Sequence, residues 1–228
     1  MYQPAADYNP MQNRLKEIIR TPEMFVEAVD LCLQIHAFLH QSRVSGSVSK
    51  TLCDEVVENL KEPDWCAMPT VKDVTIAWNI WHITRIEDIT MNLLVAGGEQ
   101  VLNVDWQKRL QTRVTDTGNA MTDDEIRALS KELNKAELLN YRRAVGTRSR
   151  EILRSLSPAD MKRKFPRERL DLLLAQGCLT GHPDSVWLTD FWGRKDVSGI
   201  LLMPLTRHQA GHLNDCLKLK KKCGKLKG

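Results

Sequence analysis

Strand-like alternation is almost absent from this chain: hardly any segment exchanges apolar and polar residues at every second position, which argues against a sandwich or barrel. Long apolar runs are missing too. The densest, Gly199 to Leu205, is far too short to span a bilayer, so no membrane partner is expected. No C-x-x-C pair occurs. The six cysteines, Cys32, Cys53, Cys66, Cys178, Cys216 and Cys223, follow no regular spacing and read as reduced structural thiols of a cytoplasmic protein. Aromatic residues make up only 6%, although six of them are tryptophan, and no internal repeat appears. No basic-then-apolar leader precedes Met11, and residues 1–20 read as a polar, mobile arm.

Nor does the charge gather into a broad basic face. Six of the 33 basic residues are lysines lying between Lys218 and Gly228, which leaves 27 against 29 acidic residues elsewhere. A body near neutrality excludes the electrostatic footprint of a nucleic-acid binder. The lysine-rich end reads as a solvated helix terminus that frays into a basic tail over residues 224–228.

What the chain does contain is helical periodicity. Thr21-Pro22-Glu23 is a helix start, followed by Met24, Ala28, Leu31, Ile35 and Phe38 as a buried seam. A short helix over Thr51 to Leu60 follows. Val71, Thr75, Trp78, His82, Ile86, Ile89 and Leu93 trace one stripe of a long helix, with Asp73, Thr84, Glu87 and Asp88 on or near its opposite side, and Gly97-Gly98 stops it. After a polar connection, Thr122 to Glu125 is a capping box that opens one long curved helix or two collinear ones. Ser157-Pro158 and Pro166 to Gln176 give shorter pieces. Gly177 to Gly199 shows no period and reads as an irregular insert, and Pro204 sits in the first turn of a last helix ending near Gly224. The expected fold is all-α: a four-helix bundle over residues 21–223 with additional short helices.

Two histidines on that last helix, His208 and His212, stand four residues apart and share one face. With His82 from the mid-chain stripe they offer three neutral imidazoles and an open position, a donor set suited to a catalytic divalent metal. A single core histidine is more often a hydrogen-bonded structural residue; a pair on one buried stripe leaves more ring nitrogens to satisfy, which a metal resolves. Asp215, three residues beyond His212, is the expected outer acceptor, and His36, Trp78 and Glu87 are candidates for pocket or outer positions. His36 and His40 form a second pair at the same spacing, read as pocket lining or hydrogen-bonded core. His182 reads as exposed, and Trp65, Trp187 and Trp192 as loop anchors or a pocket roof. Gln209 stands where metalloproteases of the H-E-x-x-H type carry their general base, so proteolysis is excluded.

Two segments carry a resemblance. Trp78-Asn79-Ile80-Trp81-His82-Ile83-Thr84-Arg85-Ile86-Glu87-Asp88 and Pro204-Leu205-Thr206-Arg207-His208-Gln209-Ala210-Gly211-His212 are similar, in order and separation, to the signatures of the DinB-like (YfiT-like) superfamily of helical-bundle metalloproteins. The resemblance covers most of the chain after Pro22. It implies a bundle that is often a homodimer, with zinc or nickel on His82, His208 and His212. It further implies a metal-dependent S-transferase or isomerase acting with a low-molecular-weight thiol such as bacillithiol, mycothiol or glutathione on a small-molecule substrate. A non-catalytic metal-binding or stress-related bundle, and an interaction module using the lysine-rich end, are the alternatives.

Overall fold

The computed structural model describes Ala6 and residues 8–225. Its helices are α1 (Asn9–Ile18), α2 (Phe25–Leu39), α3 (Ser42–Ser45), α4 (Leu52–Val57), α5 (Glu62–Cys66), α6 (Ile76–Asp88), α7 (Val104–Leu110), α8 (Asp123–Glu132), α9 (Lys135–Ser155), α10 (Arg167–Ala175), α11 (Pro183–Gly193), α12 (Val197–Leu202) and α13 (His208–Lys225). Among the described residues there is no strand, only an isolated bridge between Lys164 and Asp196. No helix among them is long and apolar enough to cross a membrane.

The chain is built around α6. Thr75 caps it by accepting from the Trp78 amide at 3.0 Å, and every residue from Thr75 to Val95 is buried. α9 and α13 pack directly on α6, and α2 packs on α9 and α13. The sequence pattern places Thr84, Glu87 and Asp88 on a polar side; the fold leaves α6 no solvent side at all. Buried polar groups need partners, and Asp88 has five. Its carboxylate accepts from Arg85 and Asn92 at 2.9 Å, from the Tyr141 hydroxyl at 2.5 Å, and from the Val101 and Leu102 amides at 2.8 and 2.9 Å. Past Asp88 the helix loosens into a π-wound stretch, Ile89–Ala96, that ends at Gly97 in the left-handed region (φ 71°).

The expected helix after Thr122 is two helices. Asn134 interrupts it and caps α9 by accepting from the Glu137 amide at 3.2 Å. The α2 seam is turned by about one residue from expectation. Ala28, Val29, Cys32, Ile35, His36 and Leu39 are buried, whereas Met24, Leu31 and Phe38 are only partly so. That rotation carries His36 inward.

Three expectations are corrected. The supposed irregular insert, Gly177 to Gly199, forms α11 and opens α12. His182 caps α11 by accepting from the Asp184 amide at 3.2 Å, and Ser185, Leu188, Thr189 and Trp192 are its buried face. Their helical spacing is regular, but two of the four are hydroxylated, so no apolar period shows. The polar connection before Thr122 contains α7, capped by Asn103. Of the expected N-terminal arm, residues 1–5 and 7 lie outside the described residues, while Asn9–Ile18 is helix α1, packed on α2 and α12. Leu15, Ile18 and Ile19 are buried there. Gln12 donates to the Leu202 carbonyl at 3.0 Å, and Arg20 pairs with Asp196 at 2.8 Å. At the other end α13 continues to Lys225, and residues 226–228 of the expected tail lie outside the described residues.

Because Leu15 is fully buried, Leu15→Ala is expected to lower unfolding stability by about 3 kcal/mol in urea titration. A mobile arm would give no measurable change.

Candidate metal centre

α6 and α13 place His82, His208 and His212 around one point. One ring nitrogen from each lies within 4.8 Å of the others. Their tautomers follow from the second nitrogens. His82 Nδ1 sits 2.7 Å from the Thr117 carbonyl, which only accepts, so Nδ1 carries the proton and Nε2 keeps its lone pair. His212 Nδ1 sits 2.7 Å from Asn79 Oδ1. Asn79 Nδ2 donates to the Thr75 carbonyl at 2.9 Å, which fixes the amide orientation, so His212 also presents Nε2 as a lone pair. His208 Nδ1 is buried without a partner among the described residues, and its Nε2 lies 3.1 Å from His82 Nε2. In the absence of an ion, one proton on His208 Nε2 bridges these two rings. Moving that proton to Nδ1 leaves three lone pairs converging, which fits a cation held by imidazole alone.

The charge states agree. Burial, with the His212 field in support, lowers His82 to about 3. Burial holds His208 well below its ordinary value and lowers His212 to about 4, the field of Asp215 opposing the latter. All three rings are therefore neutral near pH 7, as metal ligands must be.

A loop running beside α6 completes the support. Trp78, Trp81, His82 and Arg85, one helical stripe, donate to the carbonyls of Gly118, Asp116, Thr117 and Thr115 at 3.3, 3.2, 2.7 and 2.9 Å. Gly118 has φ 76°, and a Cβ there would lie 2.7 Å from Trp78 Nε1, so only glycine fits the strap. Trp78 itself stacks on His82, ring centroids 4.6 Å apart and planes 8° from parallel. The strap reads in sequence only as a polar connection.

His82 and His208 face a cavity of about 90 Å³ walled by Trp187, Leu188, Phe191 and Trp192 of α11, together with Met203 and Pro204. Trp187 and Trp192 thus wall the pocket from a helix instead of a loop, whereas Trp65 is buried elsewhere. No acid and no cysteine borders this space.

Asp215 does not serve as the outer acceptor. It is exposed and pairs with Lys218 at 2.8 Å, reaching His212 only through its field. Asn79, unremarked in the sequence, takes that place.

His36 and Glu87 belong to a second cluster with His40, all three fully buried. Glu87 accepts from His36 Nε2 at 2.9 Å, His40 Nε2 at 2.7 Å and Gln209 Nε2 at 2.8 Å. Arg142 donates to Gln209 Oε1 at 2.7 Å and to the Leu39 carbonyl at 3.0 Å. Burial alone would raise Glu87, but the fields and hydrogen bonds of His40 and His36 pull it well below the usual carboxylate range. His40 is lowered to about 3 by burial, against the attraction of Glu87. The His36 and His40 rings stack at 4.1 Å. Gly146 makes room for them, since a Cβ there would sit 2.5 Å from His40 Nδ1.

This trio is also close enough to surround an ion, yet the chemistry separates the two groups. Here the carboxylate can only accept, so the Nε2 atoms of His36 and His40 carry protons toward it and offer no lone pair to a cation, and Gln209 adds a third donor. Gln209 lies between two of the converging histidines in the chain and points the opposite way, into the Glu87 cluster. That bond sets the rotation of α13 on α6, and so aims His208 and His212.

Asn79→Ala is expected to weaken divalent-metal affinity by about 10- to 100-fold in competition with a chromophoric chelator; unchanged affinity would remove Asn79 from the site. Glu87→Gln replaces a fully buried carboxylate that accepts from His36, His40 and Gln209 and should cost roughly 3 kcal/mol in urea unfolding.

A family model described as DinB superfamily matches residues 50–214, which include all three converging histidines and leave out α1, His36 and His40. No curated protein matches the chain.

Proposed function

The chain belongs to the DinB superfamily, and on that premise we propose that it holds one divalent metal ion on His82, His208 and His212 and acts as a thiol-dependent S-transferase or isomerase. The observation that carries this reading is the convergence of three imidazole nitrogens at the edge of a cavity lacking both acid and cysteine. Three ligands leave a position open toward that cavity. Imidazole donors without thiolate or carboxylate suit zinc or nickel, and iron or copper equally.

A divalent ion there supplies Lewis acidity, lowering the pKa of a thiol that reaches it. The chain's own residues do the rest. Asn79 and the Thr117 carbonyl orient two ligands, and Trp187, Phe191 and Trp192 keep the cavity apolar and limit water. No carboxylate borders the cavity to act as general base, so a nucleophile there would have to ionise on a bound metal, as a thiol or a water can. Nor do the protein's cysteines supply that nucleophile. Burial raises Cys32 to about 12 and Cys178 to about 11, and raises Cys53 and Cys216 as well. A small-molecule thiol is the nucleophile that the superfamily resemblance implies.

The modest cavity, about 90 Å³, favours a second reading in which the ion only stabilises the fold. On that reading chelation lowers the melting temperature, while panels of thiols and electrophiles give no turnover.

Metal analysis by inductively coupled plasma should find about one ion per chain in freshly purified wild type. His208→Ala should lose it while its far-ultraviolet circular dichroism stays unchanged. Sub-stoichiometric metal in the wild type sinks the proposal.

A further inference from the structure

Beside the histidine cavity runs a larger groove of about 710 Å³, and Phe191 and Met203 line both. α1 forms one bank through Gln12 and Lys16, continued by Arg20 in the turn after it, and the other carries Lys195 and Arg207. Its volume lies within the range of small-molecule sites, roughly 300–1,000 Å³, whereas the cavity holds little more than the end of a ligand.

The lining is unlike the rest of the chain. Four cationic side chains border the groove and no carboxylate does, although the sequence as a whole has nearly as many acids as bases. Arg20 is partly neutralised by Asp196 at 2.8 Å, and Lys195 lies 4.5 Å over the Phe191 ring. Neither Lys16 nor Arg207 has an ion-pair partner among the described residues. Arg207 directly precedes His208, and Phe191 and Met203 line both spaces, so the groove adjoins the histidine cavity. Uncompensated cations around a concave site raise the local concentration of anions and orient them.

We propose that this groove holds the anionic end of a small molecule, carboxylate or phosphate oxygens on Lys16 and Arg207, while the other end enters the histidine cavity. The substrate class is therefore a polyanionic thiol or its thioether adduct. This deepens the thiol-dependent reading above and rests on it for the reacting end alone; the anion subsite stands independently. The residues of α1 lie outside the family match.

The test uses full-length protein loaded with cobalt(II), whose visible bands report thiol ligation. Mercaptosuccinate should bind about tenfold tighter than 2-mercaptoethanol, with the preference shrinking as salt is raised. Lys16→Gln combined with Arg207→Gln should cut the preference below about threefold while leaving the cobalt spectrum without thiol unchanged. Lys16→Gln alone, remote in the chain from the ligands, should lose part of it. Equal affinity for the two thiols in wild type, or a preference that survives the double variant, overturns the proposal. Failure of the wild type to take up cobalt is the separate failure of the metal reading. In that event calorimetric titration of metal-free protein with succinate and with inorganic phosphate decides the groove. Binding of either that the double variant loses supports it, the tighter ligand naming the anion; binding of neither overturns it.

Discussion

The organising constraint is that α6 has no face in water while carrying Asn79, His82, Arg85, Glu87 and Asp88. Each of those groups would cost several kcal/mol if buried without a partner, so neighbouring elements are recruited to satisfy them. Tyr141 and the amides of Val101 and Leu102 serve Asp88, and the Thr115–Gly118 strap serves Trp78, Trp81, His82 and Arg85. α2, with His40 directly after it, and α13 together serve Glu87. The polar helix thereby dictates both the packing of the chain and the orientation of the groups at its centre.

Two histidine clusters lie on this helix, and they illustrate how similar donors acquire different roles. Around Glu87, a carboxylate meets three N–H donors and a guanidinium nearby, and the arrangement closes on itself electrically. Around His82, the Thr117 carbonyl and Asn79 hold the outer nitrogens of His82 and His212, so the inner lone pairs of those two rings converge toward His208. The first arrangement uses its donors up internally, and the second is the candidate cation site. Gln209 links them, because the side chain that reaches Glu87 belongs to the same helical turn as His208.

Two helices that the sequence does not announce border the candidate site. α1 lies before the matched residues and closes one side of the groove beside the three histidines, whereas α11 lies within them and walls the cavity with aromatic side chains from what the sequence presents as a structureless stretch.

Sequence by itself determined that the protein is helical, where most long helices begin, and that His208 and His212 share a face, because capping residues and the 3.6-residue period act locally. It did not reveal α1 or α11, whose buried positions are few or hydroxylated and so show no apolar stripe. Nor did it reveal Asn79 in place of Asp215, the Thr117 carbonyl, or the bond from Arg142 to Gln209. Those were decided only by tertiary structure, since their partners lie 35 to 133 residues apart and a hydrogen bond depends on position in space, which no local spacing encodes.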